Sequence, residues 1–268
     1  VRVSFGSFFA DRRGDKLASY RVVRNGSGTY FVLLRGSEAA AQQIEACESC
    51  TRRRVPLPLA VEFTHCLRLN EAPSAALKEL LNLLGNVVTL PKEDALDCAL
   101  ALDFYKDPTS HEDPMSWSNT PAGELVHRAK YRGETDAGTR LATALADVIS
   151  RHPLYQSVDA ILCVPGHKKG VTSFGVRLAA AVAKRVEKPF FETKARSSER
   201  PPAKEIGQQD ASTLRRDFRV PSDVVGNSVI IVDDVIRSGT SMRAVAESAR
   251  DAGARSVLGL AGVRTMRR

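Results

Sequence analysis

Aromatic residues are scarce in this 268-residue sequence, at 6%, which argues against a surface built to stack single-stranded bases. No apolar run reaches the roughly 20 residues a membrane-spanning helix needs, and no signal-like segment opens the sequence. No membrane association is therefore expected. Cysteine is limited to five residues, an odd number without the spacing of a small disulfide scaffold. A reduced, cytoplasmic setting is the expectation. There is no internal repeat, which removes solenoids and propellers. What is present is ordinary for a globular domain: 43% hydrophobic and 26% charged residues, enough for one large α/β domain or one domain with a smaller partner. The formal net charge of +8 favours anionic partners such as nucleic acid or polyphosphate metabolites. The basic residues are scattered, so charge alone does not choose between them.

The first third opens with two strand-like runs, 20–24 and 29–35, around Asn25-Gly26-Ser27-Gly28, a hairpin signal because Asn and Gly tolerate positive φ. Ser37 reads as the N-cap of a helix running to about Cys47. Leu77, Leu80, Leu81 and Leu84 share one face of a second helix that Gly85 stops. Residues 106–120 are polar and aperiodic, a loop. Helices follow from Pro121 and over 136–150. Thereafter strands (159–164, 189–192, 229–232, 256–263) alternate with helices (173–186, 239–252). Strands separated by helices need crossover connections, which predicts an α/β fold with a doubly wound, mostly parallel sheet. Residues 1–105 are expected to form an N-terminal α+β accessory region, and 106–268 the main domain. The basic, proline-containing stretch 194–210 lacks periodicity, and a loop that long is usually functional or disordered.

The most informative segment is 229–242. Val229-Ile230-Ile231-Val232 is an all-apolar run suited to a central strand covered on both faces. Asp233 and Asp234 follow it, then Arg237, Ser238, Gly239, Thr240 and Ser241 at the start of a helix. In an open α/β sheet, ligands bind at the carboxyl ends of strands. The helix start supplies N–H groups and a favourable dipole for a phosphate, three hydroxyls add donors, and Gly239 lets the backbone approach closely. The carboxylates can accept hydrogen bonds from sugar hydroxyls or hold a hard cation such as Mg²⁺. Helix capping explains one Ser or Thr, but not two adjacent carboxylates that repel each other. The pattern fits a ribose 5-phosphate.

The run VIIVDDVIRSGTSM at 229–242 resembles the phosphoribosyl pyrophosphate (PRPP) motif of type I phosphoribosyltransferases. The resemblance extends over about 122–264 and narrows to the ComF-like branch. That branch has a lysine-tyrosine-glycine element similar to Lys130-Tyr131-Arg132-Gly133. It also has a valine-proline strand end before a basic loop, matched by Val164-Pro165-Gly166-His167-Lys168-Lys169. Gln208 or Gln209, Arg215 and Phe218 resemble its residues ahead of the PRPP strand. The resemblance implies that Asp233 and Asp234 contact the ribose hydroxyls, directly or through Mg²⁺, and that 237–241 cradle the 5-phosphate. Pro165, Gly166, His167, Lys168 and Lys169 would form the pyrophosphate loop. Residues 194–209 would close over the substrate and exclude water, with Lys194, Arg196, Arg200 and Lys204 offering charge to the departing diphosphate.

Two departures limit the resemblance. Arg237 stands where the family usually has a small or acidic residue, and where purine-salvage members place an aspartate base. A permanently charged guanidinium cannot serve as a base, so hypoxanthine–guanine salvage is disfavoured. ComF-like proteins also often begin with two CxxC pairs, whereas this chain has only Cys47-Glu48-Ser49-Cys50, with His65 and Cys66 downstream. Adjacent His65 and Cys66 make an awkward half of a tetrahedral site, so structural cysteines are preferred to zinc. The expected function is Mg²⁺-dependent transfer of phosphoribosyl from PRPP to an unidentified acceptor. The alternative is a non-catalytic module that senses PRPP or a nucleotide, with a nucleic-acid-related role. PRPP or a nucleoside monophosphate is the expected ligand; nucleic acid or a protein on the basic surface, and a homo-oligomer, stay open as partners.

Overall fold

The computed structural model describes residues 14–166, 171–195 and 217–266. Chain order begins with a hairpin of β1 (Ser19–Arg24) and β2 (Tyr30–Arg35). Its turn is tied by the Asn25 side chain, which accepts the Thr29 N–H at 2.9 Å. Helix α1 (Glu38–Cys47) starts where the Ser37 hydroxyl accepts the Ala40 N–H. Strands β3 (Cys50–Arg53) and β4 (His65–Leu69) complete a four-stranded antiparallel sheet in the order β1-β2-β4-β3. Helix α2 (Ala75–Leu84), capped by Ser74, buries Leu77, Leu80, Leu81, Leu83 and Leu84. The one-sided leucine spacing makes this helix amphipathic.

The large sheet holds β5 (Val88–Thr89), β6 (Cys98–Phe104), β7 (Ala160–Cys163), β8 (Phe190–Phe191), β11 (Ser228–Ile236) and β12 (Ser256–Arg264). Their order is β5-β6-β12-β11-β7-β8, parallel throughout except for β5 against β6. Between them run α3 (Pro121–Tyr131), α4 (Thr135–Arg151), the single turn α5 (Pro153–Gln156), α6 (Phe174–Arg185) and α7 (Thr240–Asp251). A two-residue ribbon, β9 (Lys194–Ala195) against β10 (Phe218–Arg219), stands apart from both sheets.

Alternate residues of the central strands enter opposite cores. Ile230, Val232, Leu258, Leu260 and Ile161 join one apolar cluster with residues of α4, α6, α1 and α2. Val229, Ile231, Val257, Ala261 and Leu162 join the other with Ala244, Val245 and Ala249 of α7. Both faces are covered, so this is the doubly wound α/β sheet with an N-terminal α+β region. Each fully buried Val, Leu or Ile contributes roughly 2 kcal/mol. The first cluster also takes Val32, Leu34 and Leu67 from the small sheet, so the N-terminal region shares its core with the large one. The 105/106 division expected from the sequence falls just after β6, which pairs with β12 from Cys98↔Leu258 to Phe104↔Arg264. Strands β5 and β6 thus precede that division and yet belong to the large sheet. No helix among the described residues is long and apolar enough to cross a membrane.

Candidate phosphosugar site

Strand β11 lies between β12 and β7, and Val229, Ile230, Ile231 and Val232 are completely buried. The acidic pair does not follow this strand as the sequence suggested. It lies within it: pairing with β12 continues through Asp233↔Ala261 to Ile236↔Arg264, because β12 runs on beside it. Adjacent strand residues point to opposite faces, so the two carboxylates meet different surroundings.

Asp234 is buried, at 6% exposure, and its Oδ2 lies 2.9 Å from Lys130 Nζ at the end of α3. The lysine reaches this point because α3 sits low on β12. A Cβ at Gly262 would lie 2.8 Å from the Asp234 carbonyl oxygen and 3.1 Å from Val126 Cγ2 of α3, so only glycine admits that approach. Burial works against the Lys130 charge, but the neighbouring carboxylates, Asp234 foremost, outweigh it and raise its pKa. Asp233 Oδ1 accepts the Asp234 N–H at 2.8 Å and faces the start of α6, where a Cβ on Gly175 would come within 3.6 Å of it. Desolvation, then repulsion from Asp234, holds the Asp233 carboxyl well above the usual carboxylate range.

Beyond Ile236 the chain turns into α7. Gly239, the N-cap, has φ 82°, a left-handed conformation that costs any residue with a Cβ. The N-cap glycine has no side chain to cap α7, and the Ser238 hydroxyl accepts the Thr240 N–H at 3.4 Å. The Ser238 and Thr240 hydroxyls lie 2.8 Å apart and bond each other, while Ser241 is half-buried in the first turn. The turn is anchored from behind by β12: the Arg264 guanidinium donates to the Arg237 carbonyl, and the Thr265 N–H donates to the Ile236 carbonyl at 2.9 Å. The Arg237 side chain is exposed.

Pro165 and Gly166 follow β7, immediately beside β11. His167, Lys168 and Lys169 lie outside the described residues, as do Arg196, Arg200, Lys204, Gln208, Gln209 and Arg215. Lys194, expected in an aperiodic stretch, instead begins β9, where it pairs with Arg219 and is exposed. No described hydrogen bond or ion pair connects it to the acidic pair. The cysteines near the N-terminus are spread over α1 and the small sheet. Cys47 and Cys50 pack against the large core, while Cys66 packs with Leu33 and Phe63 on the other face. Burial pushes the Cys47 thiol up to about 12. Among the described residues, no group of three or more His, Cys, Asp or Glu gathers as a metal site. Asp233 and Asp234 offer hard oxygen donors, the kind a cation such as Mg²⁺ takes.

Residue-by-residue reading had given no role to Lys130 or Arg264. The lysine was visible only as part of a family-like element, and the arginine had no signal of its own.

Residues 135–261 match the model of the phosphoribosyl transferase domain, a segment that contains β7, β11, α7 and the acidic pair. Solved structures similar to the chain include orotate phosphoribosyltransferase from Aeropyrum pernix, 22% identical, over 55% of this chain and 66% of that one, with a TM-score of 0.34. Purine phosphoribosyltransferase from Pyrococcus horikoshii is 18% identical over 50% of this chain and 87% of that one, TM-score 0.33. Adenine phosphoribosyltransferase from Leishmania tarentolae is 10% identical over 64% and 79%, TM-score 0.39. The chain spans just under two thirds of the orotate enzyme. No curated protein sequence matches it.

Proposed function

We propose that the protein binds PRPP at 229–242 and transfers its phosphoribosyl group to an acceptor, releasing diphosphate. The observation that carries this reading is the acidic pair of β11, a few residues before a helix that starts at a left-handed glycine. The 5-phosphate would sit on the backbone N–H groups of 239–241, favoured by the helix dipole, with the hydroxyls of Ser238, Thr240 and Ser241 as further donors. Asp233 and Asp234 would accept from the ribose 2- and 3-hydroxyls. Diphosphate would lie toward Pro165 and Gly166, with His167, Lys168, Lys169, Lys194 and Arg196 proposed as its cationic surroundings. In the transfer, the C1–O bond to diphosphate breaks, its electron pair leaves with diphosphate, and the acceptor forms the new bond to C1. The developing positive charge on the sugar is stabilised by nearby carboxylates. Mg²⁺, when bound, would neutralise the diphosphate. A ComF-like relationship and a cytoplasmic, reducing setting fit the Lys130-Tyr131 element and five free cysteines.

Calorimetric titration with PRPP tests the binding, and diphosphate release across a panel of nucleobases tests the transfer. The exposed Arg237 favours one second reading, a non-catalytic sensor of PRPP or a nucleotide, because a guanidinium cannot act as the base. Tight PRPP binding with no diphosphate release on any acceptor is the outcome that selects it.

A further inference from the structure

We propose that Lys130 is the resident counter-cation of the acidic pair, occupying Asp234 in place of a metal until the phosphosugar binds. This rests on the phosphosugar reading of 229–242. Lys130 lies outside the 135–261 segment that matches the phosphoribosyl transferase model.

Three observations converge on it. First, two adjacent carboxylates within one strand repel each other, and a buried carboxylate without a partner is costly; the Lys130 ammonium lies 2.9 Å from Asp234 Oδ2 and acts on Asp233 through space. Second, the seat of α3 is set by close packing. Gly262 admits Val126, and a Cβ at Gly123 would lie 2.0 Å from the Tyr105 carbonyl oxygen, so the helix end is delivered to Asp234 rather than arriving there by a wandering side chain. Third, the contact is releasable. Asp234 is 8% exposed in its side chain but Lys130 is 33% exposed, and an ammonium on a flexible stem, unlike a bidentate guanidinium, leaves through a single contact. The Tyr131 ring, with its centroid 5.8 Å from Lys130 Nζ, offers the released charge a second, weaker seat.

A divalent cation approaching Asp234 in the ligand-free protein must then displace an ammonium already in place. Titration of the full chain with Mn²⁺, followed by electron paramagnetic resonance without phosphosugar, reads this competition. Lys130→Gln is expected to bind Mn²⁺ about tenfold tighter than wild type, since removing a nearby positive charge strengthens attraction to the carboxylates. Lys130→Arg, which keeps the charge, is expected to stay near the wild-type affinity. Equal affinity in wild type and Lys130→Gln, or equal tightening in both variants, overturns the proposal. A measurement on the unaltered protein covers the case in which the variants do not fold. Amine acylation mapped by mass spectrometry should be faster at Lys130 once ribose 5-phosphate and Mn²⁺ are present, and an unchanged rate overturns the role. If Asp233→Asn/Asp234→Asn binds ribose 5-phosphate as well as wild type, the phosphosugar reading and the proposal fall together. If that control loses binding while Lys130→Gln keeps wild-type Mn²⁺ affinity, only the lysine's role falls.

Discussion

Arg52 on the small sheet and Lys130 beside the large one each face two carboxylates, and the chain treats them in opposite ways. Arg52 donates twice to Glu45, at 2.6 and 2.7 Å, and once to Glu38 at 2.7 Å. Its rigid fork matches the oxygens, and the cluster is satisfied within itself. Among the described residues Lys130 bonds just one of its two carboxylates, Asp234, through one ammonium, while Asp233 accepts a backbone N–H. The same contrast separates the helix starts. Ser37, Ser74, Thr120 and Ser173 cap α1, α2, α3 and α6 with their own hydroxyls; α4 and α5 have no side-chain cap, and α7 alone of the described helices starts at a left-handed glycine. Polar groups that complete one another hold the fold. Those left incomplete at the carboxyl edge of the sheet are where the proposed ligand would finish the bonding.

Removing the incomplete carboxylates should have the greatest effect. Asp233→Asn/Asp234→Asn is expected to weaken PRPP binding about a thousandfold, as two charge-assisted hydrogen bonds at roughly 2 kcal/mol each would require. Calorimetry reads this directly, and retained affinity would erase the distinction drawn above.

A third way of handling a polar group comes next in size. His152 is fully buried and its Nε2 lies 3.0 Å from Gln43 Oε1 of α1. Here burial removes the charge instead of pairing it: desolvation lowers the pKa to about 4. The folded state thus resists a proton that the unfolded chain accepts below about pH 6.5. The stability tied to His152 is complete above that pH and is lost as pH falls toward 4, by roughly 3 kcal/mol. Urea unfolding of wild type and His152→Gln across this range should show the wild type falling more steeply; parallel curves would exclude the effect.

Gly239→Ala is expected to cost about 1 kcal/mol of stability, the cost of a left-handed residue with a Cβ. Among the described residues, no heavy atom beyond its chain neighbours lies within 4 Å of the position that Cβ would take. Thermal melts should place Gly239→Asn between the two. Arg52→Ala should change stability least, by about 1 kcal/mol or less, because its partners are largely exposed. A loss that vanishes in high salt would confirm its electrostatic origin.

The residues that announced themselves were those whose meaning is local. Asn25-Gly26 marked the hairpin, the leucines of α2 its buried face, and Gly239 the turn into α7. What stayed hidden depends on distant parts of the chain. Strand β6, Cys-Ala-Leu-Ala-Leu-Asp-Phe, has no β-branched residue and reads equally as helix; it is a strand because β12 lies beside it. The pairing of Lys130 with Asp234 joins residues on two elements, and no spacing encodes it. The continuation of β11 through its acidic pair likewise follows from the neighbouring β12.

The place of β12 in the strand order also bears on synthesis. Made after every other strand of the large sheet, it lies between β6 and β11 and hydrogen-bonds to both. Until Ser256–Arg264 emerges from the ribosome, those two strands each lack a neighbour and present unpaired edges. Sheet closure must wait for this late insertion, a non-local step of the kind that slows folding. A nascent chain stalled before residue 256 would be a natural client for a chaperone and a natural seed for aggregation.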